Sequence, residues 1–325
     1  MSRAPRWTFR FLPILLVAGA APAQSQGREE LGKPFAYDAG APLEPKLTPL
    51  YEREGVKVHD LLYPSPKGGM VTGYLVAPSG PGPFAGLLFG HWGPGNRTEF
   101  LPEAEVYAQA GAVGILIDYP WVRPAPWRVN QGKGFGEPEK DRDSWIAAVV
   151  DLRRALDLLL ARPGVDKARI GYVGHSYGAQ WGAILAAVDR RMKTAVLVGG
   201  VPSSESIVME TDDPDVVAFR ESAPKAERDR YFEINRPYDA IRYAPHAAPI
   251  PLLFQFARYE RTFTEAAMKR YYAAASEPKT IRWYETGHDL NDLRVVADRA
   301  AWLERHLGLK PTRALFQKRL ETDIR

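Results

Sequence analysis

The sequence predicts an α/β fold, a mostly parallel, doubly wound sheet with helices on both faces and two excursions from it. Three observations predict it. Short apolar runs bounded by Gly and Pro alternate with stretches whose apolar residues recur at helical spacing, which implies right-handed crossovers between parallel strands. At 169–184, "RIGYVGHSYGAQWGAI", one such run turns directly into a small-residue helix. With 325 residues, 45% of them apolar, the chain can bury one substantial core, and a single domain with insertions is expected.

The chain opens with "MSRAPRWTFRFLPILLVAGAAPAQSQ": three arginines (Arg3, Arg6, Arg10), a short apolar run over 11–18, then small residues at Ala21 and Ala23. That pattern predicts a secretory signal peptide over 1–23 and a secreted or periplasmic mature chain, since the apolar run is far short of the ~20 residues of a spanning helix. Its removal takes away three arginines and no acid, so the formal charge falls from +4 to +1. No basic block remains to follow a phosphate backbone, so nucleic acid is not an expected partner. The sequence has no cysteine, so the fold must stand without disulfides.

Residues 24–55, rich in Pro, Gly and charge, read as an arm leading into the domain at 56–310, and 311–325 read as a tail. Within the domain, strands are predicted at 56–64, 70–78, 84–92 and 111–120, with a helix at 103–110 between the last two. A longer helix follows at 146–161, where Ile146, Val149, Val150, Leu156, Leu159 and Leu160 share a face. The alternation continues with strand 169–174, helix 179–188, strands 194–200 and 250–257, helix 265–275, strand 279–287 and helix 292–307. The stretches 121–142 and 205–247 are too long for turns and read as excursions over a site. The "GKGFG" at 132–136 does not lead from strand to helix and is no phosphate loop.

The chemistry concentrates at the strand-to-helix corner, where Gly174-His175-Ser176-Tyr177-Gly178 forms a G-x-S-x-G motif. The flanking glycines keep side chains out of a crowded turn while the serine projects, and the helix start behind it favours developing negative charge. A serine hydroxyl needs a base, and His288, in the loop between the last strand and the last helix, is the candidate. His306 falls on the final helix, His59 in an early strand, His246 in a proline-rich loop, and His175 inside the corner itself. An acid must orient the base: Glu260, just past strand 250–257, completes the order Ser, acid, His, with Glu205 as its competitor and Asp289 too near His288 in sequence. Backbone donors for an oxyanion are expected from Tyr177 and from Gly93 or Trp92 in "GHWGPGNRTEF", a loop that His91 and Asn96 can brace. Asn96-Arg97-Thr98 also matches a glycosylation sequon. In the first excursion, Trp121 and Trp127 offer flat apolar walls, and Arg123 and Arg128 offer charges for a substrate carboxylate. No metal-ligand spacing and no cofactor motif is found in the sequence.

Taken together, "RPGVDKARIGYVGHSYGA" (162–179), "HWGPGNR" (91–97), "QFARYE" (255–260) and "TGHDLN" (286–291) resemble the helix–strand–elbow, oxyanion loop, acid segment and histidine loop of the α/β-hydrolase superfamily. Within it the chain resembles dienelactone-hydrolase-like and acetyl-xylan-esterase-like members, over roughly 56–307. It departs from them in having Ala257 for the usual glycine and Glu260 for the commoner aspartate, and a serine where true dienelactone hydrolases have cysteine. The resemblance implies a cofactor-free serine hydrolase acting on a carboxylic ester, and the two cations and proline-stiffened turns of the excursion at 119–129 point to a small soluble ester of short acyl chain or carrying a carboxylate. An aminopeptidase or oligopeptidase would use the same machinery, and a noncatalytic binding protein on the same scaffold is the rival from another class.

Overall fold

Runs of β-branched and other apolar residues form the middle of a nine-stranded sheet in the computed structural model, which describes residues 27–322 apart from 28 and 133. The signal segment expected over 1–23 lies outside the described residues. Strands β4 (Phe84–Gly90), β5 (Ala112–Ile117), β7 (Thr194–Val198) and β8 (Leu252–Ala257) are almost wholly buried, because helices cover both of their faces. That is why they read as continuous apolar runs. Strands β2 (Val56–Pro64) and β3 (Met70–Pro78) pair antiparallel beside them, and β9 (Lys279–Tyr284) closes the far edge.

With β1 (Lys46–Arg53) and β6 (Val165–His175), the sheet order is β1-β2-β3-β5-β4-β6-β7-β8-β9. Neighbours from β5 through β9 run parallel, while β1, β2 and β3 are antiparallel to one another and β3 to β5. On one face α2 (Pro138–Ala161), α3 (Tyr177–Val188) and α8 (Glu265–Ala274) bury Trp145, Leu152, Trp181 and Tyr271. On the other, α1 (Leu101–Gln109) and α9 (Leu293–Leu307) bury Tyr107, Val295 and Leu303. The chain leaves β4 for β5 on one side, and β6 lies on the other. Open α/β sheets form their ligand crevice at the carboxyl ends of strands at such a switch.

Three boundaries differ from the sequence reading. The arm expected over 24–55 ends in β1, an edge strand whose every residue is exposed, so it shows no alternating apolar pattern, and Pro49 interrupts it. The tail expected over 311–325 carries α10 (Arg313–Thr322), docked through Leu315 and Phe316, with the Phe316 ring 5.9 Å from Tyr107. Helix α2 begins at Pro138, inside the first expected excursion, because its first turns are polar. The second excursion is helical, with α4 (Ser204–Glu210), α5 (Pro214–Glu221), α6 (Lys225–Asn235) and α7 (Ala240–Tyr243). The two excursions pack on each other: Phe135 stacks on Phe219 at 4.7 Å and joins Val208 and Phe232 in a small core. Among the described residues no helix is long and apolar enough to cross a membrane.

Candidate active site

The corner between β6 and α3 is tight enough to exclude any Cβ at its two glycines. A methyl group on Gly174 would stand 2.3 Å from the Gly178 carbonyl oxygen, and one on Gly178 would stand 2.1 Å from that of Gly90. Between them Ser176 takes φ 54° and ψ −111°, a left-handed conformation that costs a non-glycine residue about 1–3 kcal/mol. The surroundings hold it there. Ser176 N–H donates to Val198 O at 2.8 Å, Gly178 N–H to His91 O at 3.1 Å, and the Tyr172 hydroxyl to Gly178 O at 2.7 Å.

Strand ends bring the other groups to this corner. The loops after β8 and β9 are tied by Arg258 N–H to Tyr284 O at 2.8 Å and Tyr259 N–H to Thr286 O at 3.1 Å, which sets Glu260 against His288. The turn 287–290, closed by Leu290 N–H to Gly287 O at 3.0 Å and anchored by buried Leu290, presents the imidazole. His288 Nε2 lies 2.9 Å from Ser176 Oγ, and His288 Nδ1 lies 2.6 Å from Glu260 Oε2. With a proton on Nδ1 donated to the carboxylate, the Nε2 lone pair faces the serine hydroxyl. Glu260 Oε1 accepts the N–H groups of Arg261 at 3.0 Å and Thr262 at 2.8 Å. Its side chain is 1% exposed, and burial pushes its carboxyl up. The hydrogen bond and charge of His288, with help from Thr262, outweigh that and hold it below the ordinary value. Glu205, the competing acid, instead pairs with Arg236 at 3.0 Å on the surface.

Of the expected oxyanion donors, Tyr177 N–H is the first of its helix and has no acceptor within it. Trp92 N–H is already engaged by Glu99 Oε2 at 2.7 Å, which leaves Gly93 of the pair. Gly93 faces the Tyr177 ring, where an added Cβ would stand 3.5 Å away, and Trp121 Nε1 donates to Gly93 O at 2.7 Å. His91 braces the same loop: Nε2 accepts Tyr119 N–H at 3.1 Å, so Nδ1 carries the proton given to Trp92 O at 2.6 Å. Burial lowers the His91 pKa to about 4, keeping that ring neutral. Asn96 closes an Asx turn by accepting from Thr98 N–H at 2.9 Å.

Of the substrate contacts expected from the first excursion, that of Arg123 is corrected. Arg123 is 1% exposed and paired with fully buried Asp151, so it cannot meet a substrate. Arg128 donates through Nε to Arg123 O at 2.8 Å, which braces the excursion, and Trp127 lies over Gly69 in the turn between β2 and β3, where an added Cβ would stand 3.5 Å from its ring. Trp121, partly exposed, donates to the oxyanion loop and sets its ring edge-on to Tyr177 at 6.1 Å. Glu99 went unrecognised in the sequence: besides Trp92 N–H it binds His175 Nδ1 at 2.6 Å, and His175 Nε2 donates to His288 O at 3.0 Å. The only local hint was an acid within the oxyanion loop. Among the described residues no group of three or more His, Cys, Asp or Glu could hold a metal ion.

No protein-family model matches the chain. Its fold is similar to that of an acetyl xylan esterase from a Paenibacillus species, with TM-score 0.72 and 21% identity over 88% of this chain and 95% of that one. An acetyl xylan esterase from a Thermoanaerobacterium species superposes with TM-score 0.70 and 18% identity, over 88% of this chain and 94% of the other. A cold-adapted esterase from an Arctic intertidal metagenomic library does so at 0.56 and 17%, over 81% and 97%. Strand order, the serine corner and these superpositions agree that the chain has the α/β-hydrolase fold.

Proposed function

We propose that the protein is an exported serine hydrolase that cleaves a carboxylic ester of a small soluble substrate through an acyl-enzyme. The observation that carries this reading is the hydrogen-bonded line Ser176–His288–Glu260, aimed from a strained corner at a helix start. Ser176 Oγ attacks the ester carbonyl while His288 Nε2 takes its proton, and Glu260 stabilises the imidazolium and fixes its tautomer. The carbonyl oxygen, now negative, receives hydrogen bonds from the N–H groups of Tyr177 and Gly93. Collapse of the tetrahedral species breaks the bond to the alcohol oxygen, which leaves with the proton from His288. Water then repeats the sequence on the acyl-serine and releases the acid. Likeness to proteins named as acetyl xylan esterases and esterases favours an ester over a peptide. Export rests on the basic, apolar and small-residue succession at 1–23. The test is fluorophosphonate labelling with peptide mapping, followed by a panel of aryl esters. Label on the peptide holding Ser176 and turnover of short-chain esters are expected; label elsewhere, or none, overturns the reading.

A further inference from the structure

A cavity of about 400 Å³ lies beside the corner, lined by Tyr177 and Gln180, residues one and four past Ser176, and by helices of the second excursion. Its chemistry is one-sided. Among the described residues the lining carries two carboxylates, Asp141 and Asp215, with the rings of Tyr177, Phe219 and Tyr231, and no Lys, Arg or His. Asp141 is 9% exposed, and it accepts only neutral donors: Gly132 N–H at 2.8 Å and the Tyr231 hydroxyl at 3.0 Å. No cation pairs with it among the described residues. Burial raises its pKa, as befits a carboxylate with no positive neighbour. Gln180 is 2% exposed, yet its side-chain amide has no hydrogen-bond partner among the described residues. With no protein partner, the Gln180 amide opens onto the cavity, so a ligand group with polar hydrogens is the natural complement of both side chains.

We propose that this cavity seats an alkylammonium end of the substrate, whose N–H groups donate to Asp141 and to the Gln180 carbonyl oxygen while its charge lies against the Tyr177, Phe219 and Tyr231 rings. A carboxylate there would face two acids, and a plain alkyl end would leave the Asp141 charge without a cation and the Gln180 amide without a partner. The assignment rests on Ser176 being an ester-cleaving nucleophile and names the substrate class for that site.

The test is inhibition of 4-nitrophenyl acetate hydrolysis by n-hexylammonium, n-hexanol and hexanoate, three probes of equal chain length. Hexylammonium should inhibit the wild type competitively with a Ki roughly tenfold or more below that of hexanol, and hexanoate should be the weakest. In Asp141→Asn the ammonium and alcohol constants should converge to within about threefold. Equal constants for ammonium and alcohol in the wild type overturn the proposal without recourse to any variant. So does a preference that survives Asp141→Asn in a protein with unchanged circular dichroism. Loss of acetate hydrolysis in Ser176→Ala separates the two readings: hydrolysis that needs Ser176 but ignores the ammonium charge sinks only the cavity assignment, whereas hydrolysis indifferent to Ser176 sinks the ester reading beneath it.

Discussion

Glu99 grips His175 and the oxyanion loop at once, with Oε1 2.6 Å from His175 Nδ1 and Oε2 accepting Trp92 N–H at 2.7 Å. Because His175 Nε2 reaches His288 O at 3.0 Å, this one carboxylate ties the loop of the base to the loop of the donor Gly93. It touches neither the serine nor the base side chain, so it acts by position. Glu99→Ala should lower kcat about 10- to 100-fold with little change in KM, because small misplacements of reacting groups slow the chemistry and leave ground-state binding alone. Steady-state kinetics on a short aryl ester decide it: a variant with wild-type kcat shows that the tie has no catalytic consequence.

The buried pair Arg123–Asp151 carries a stability prediction in place of the substrate role first expected of the arginine. Removing the guanidinium leaves Asp151, fully buried, with only the Ser65 hydroxyl at 2.6 Å and backbone neighbours. Arg123→Ala should cost about 3–5 kcal/mol in urea unfolding, and Arg123→Met with Asp151→Leu together should cost much less than the single change. Equal losses in the single and double variants would show that the cost is packing and not charge.

Asp239 supplies a pH signature. It is 2% exposed, and burial pushes its carboxyl up to about 7, although the Ser204 N–H at 2.8 Å and hydroxyl at 3.1 Å pull the other way. Its folded pKa stands above the unfolded 3.8, so the folded state holds the extra proton between those values and stability falls as the pH rises from 3.8 to about 7. Asp239→Asn keeps an acceptor for Ser204 and removes the charge. Its stability relative to wild type should climb across that window by on the order of 1–4 kcal/mol and then level off. A difference that does not change between pH 4 and 8 would contradict the buried, reluctant carboxylate.

Glu260 and Glu205 separate cleanly by substitution. Glu260→Gln can no longer hold His288 in the tautomer that faces Ser176, and should lose roughly 10³- to 10⁴-fold in kcat with little change in thermal midpoint. Glu205→Gln touches only the exposed pair with Arg236 and should behave as wild type. The reverse pattern in the two variants would move the acid to Glu205.

The parts legible in the sequence were those governed by local spacing. Strands 56–64 and 70–78 emerge with matching ends because Pro, Ser and Gly punctuate them, and the serine corner is legible because its G-x-S-x-G spacing is local, with Gly174 pressed against Gly178 four residues on, although Gly178 itself is pressed by the distant Gly90. Strand β1 was not legible: it borrows its order from β2 and buries nothing of its own. Helix α10 depends on two apolar residues reaching a core built by others. Arg123 misled because its partner lies 28 residues away on a helix whose buried face includes an acid, Asp151. Glu99 was silent for the same reason, since His175 is 76 residues distant and only the folded sheet brings them together.

The central claim is that Ser176, activated by His288, is the group that takes the acyl chain, and the most direct measurement of it is kcat/KM for a short aryl ester in Ser176→Ala. The account predicts a fall of about 10⁴- to 10⁶-fold with circular dichroism and unfolding midpoint near those of the wild type. Hydrolysis within about tenfold of the wild-type rate in that folded variant would contradict it.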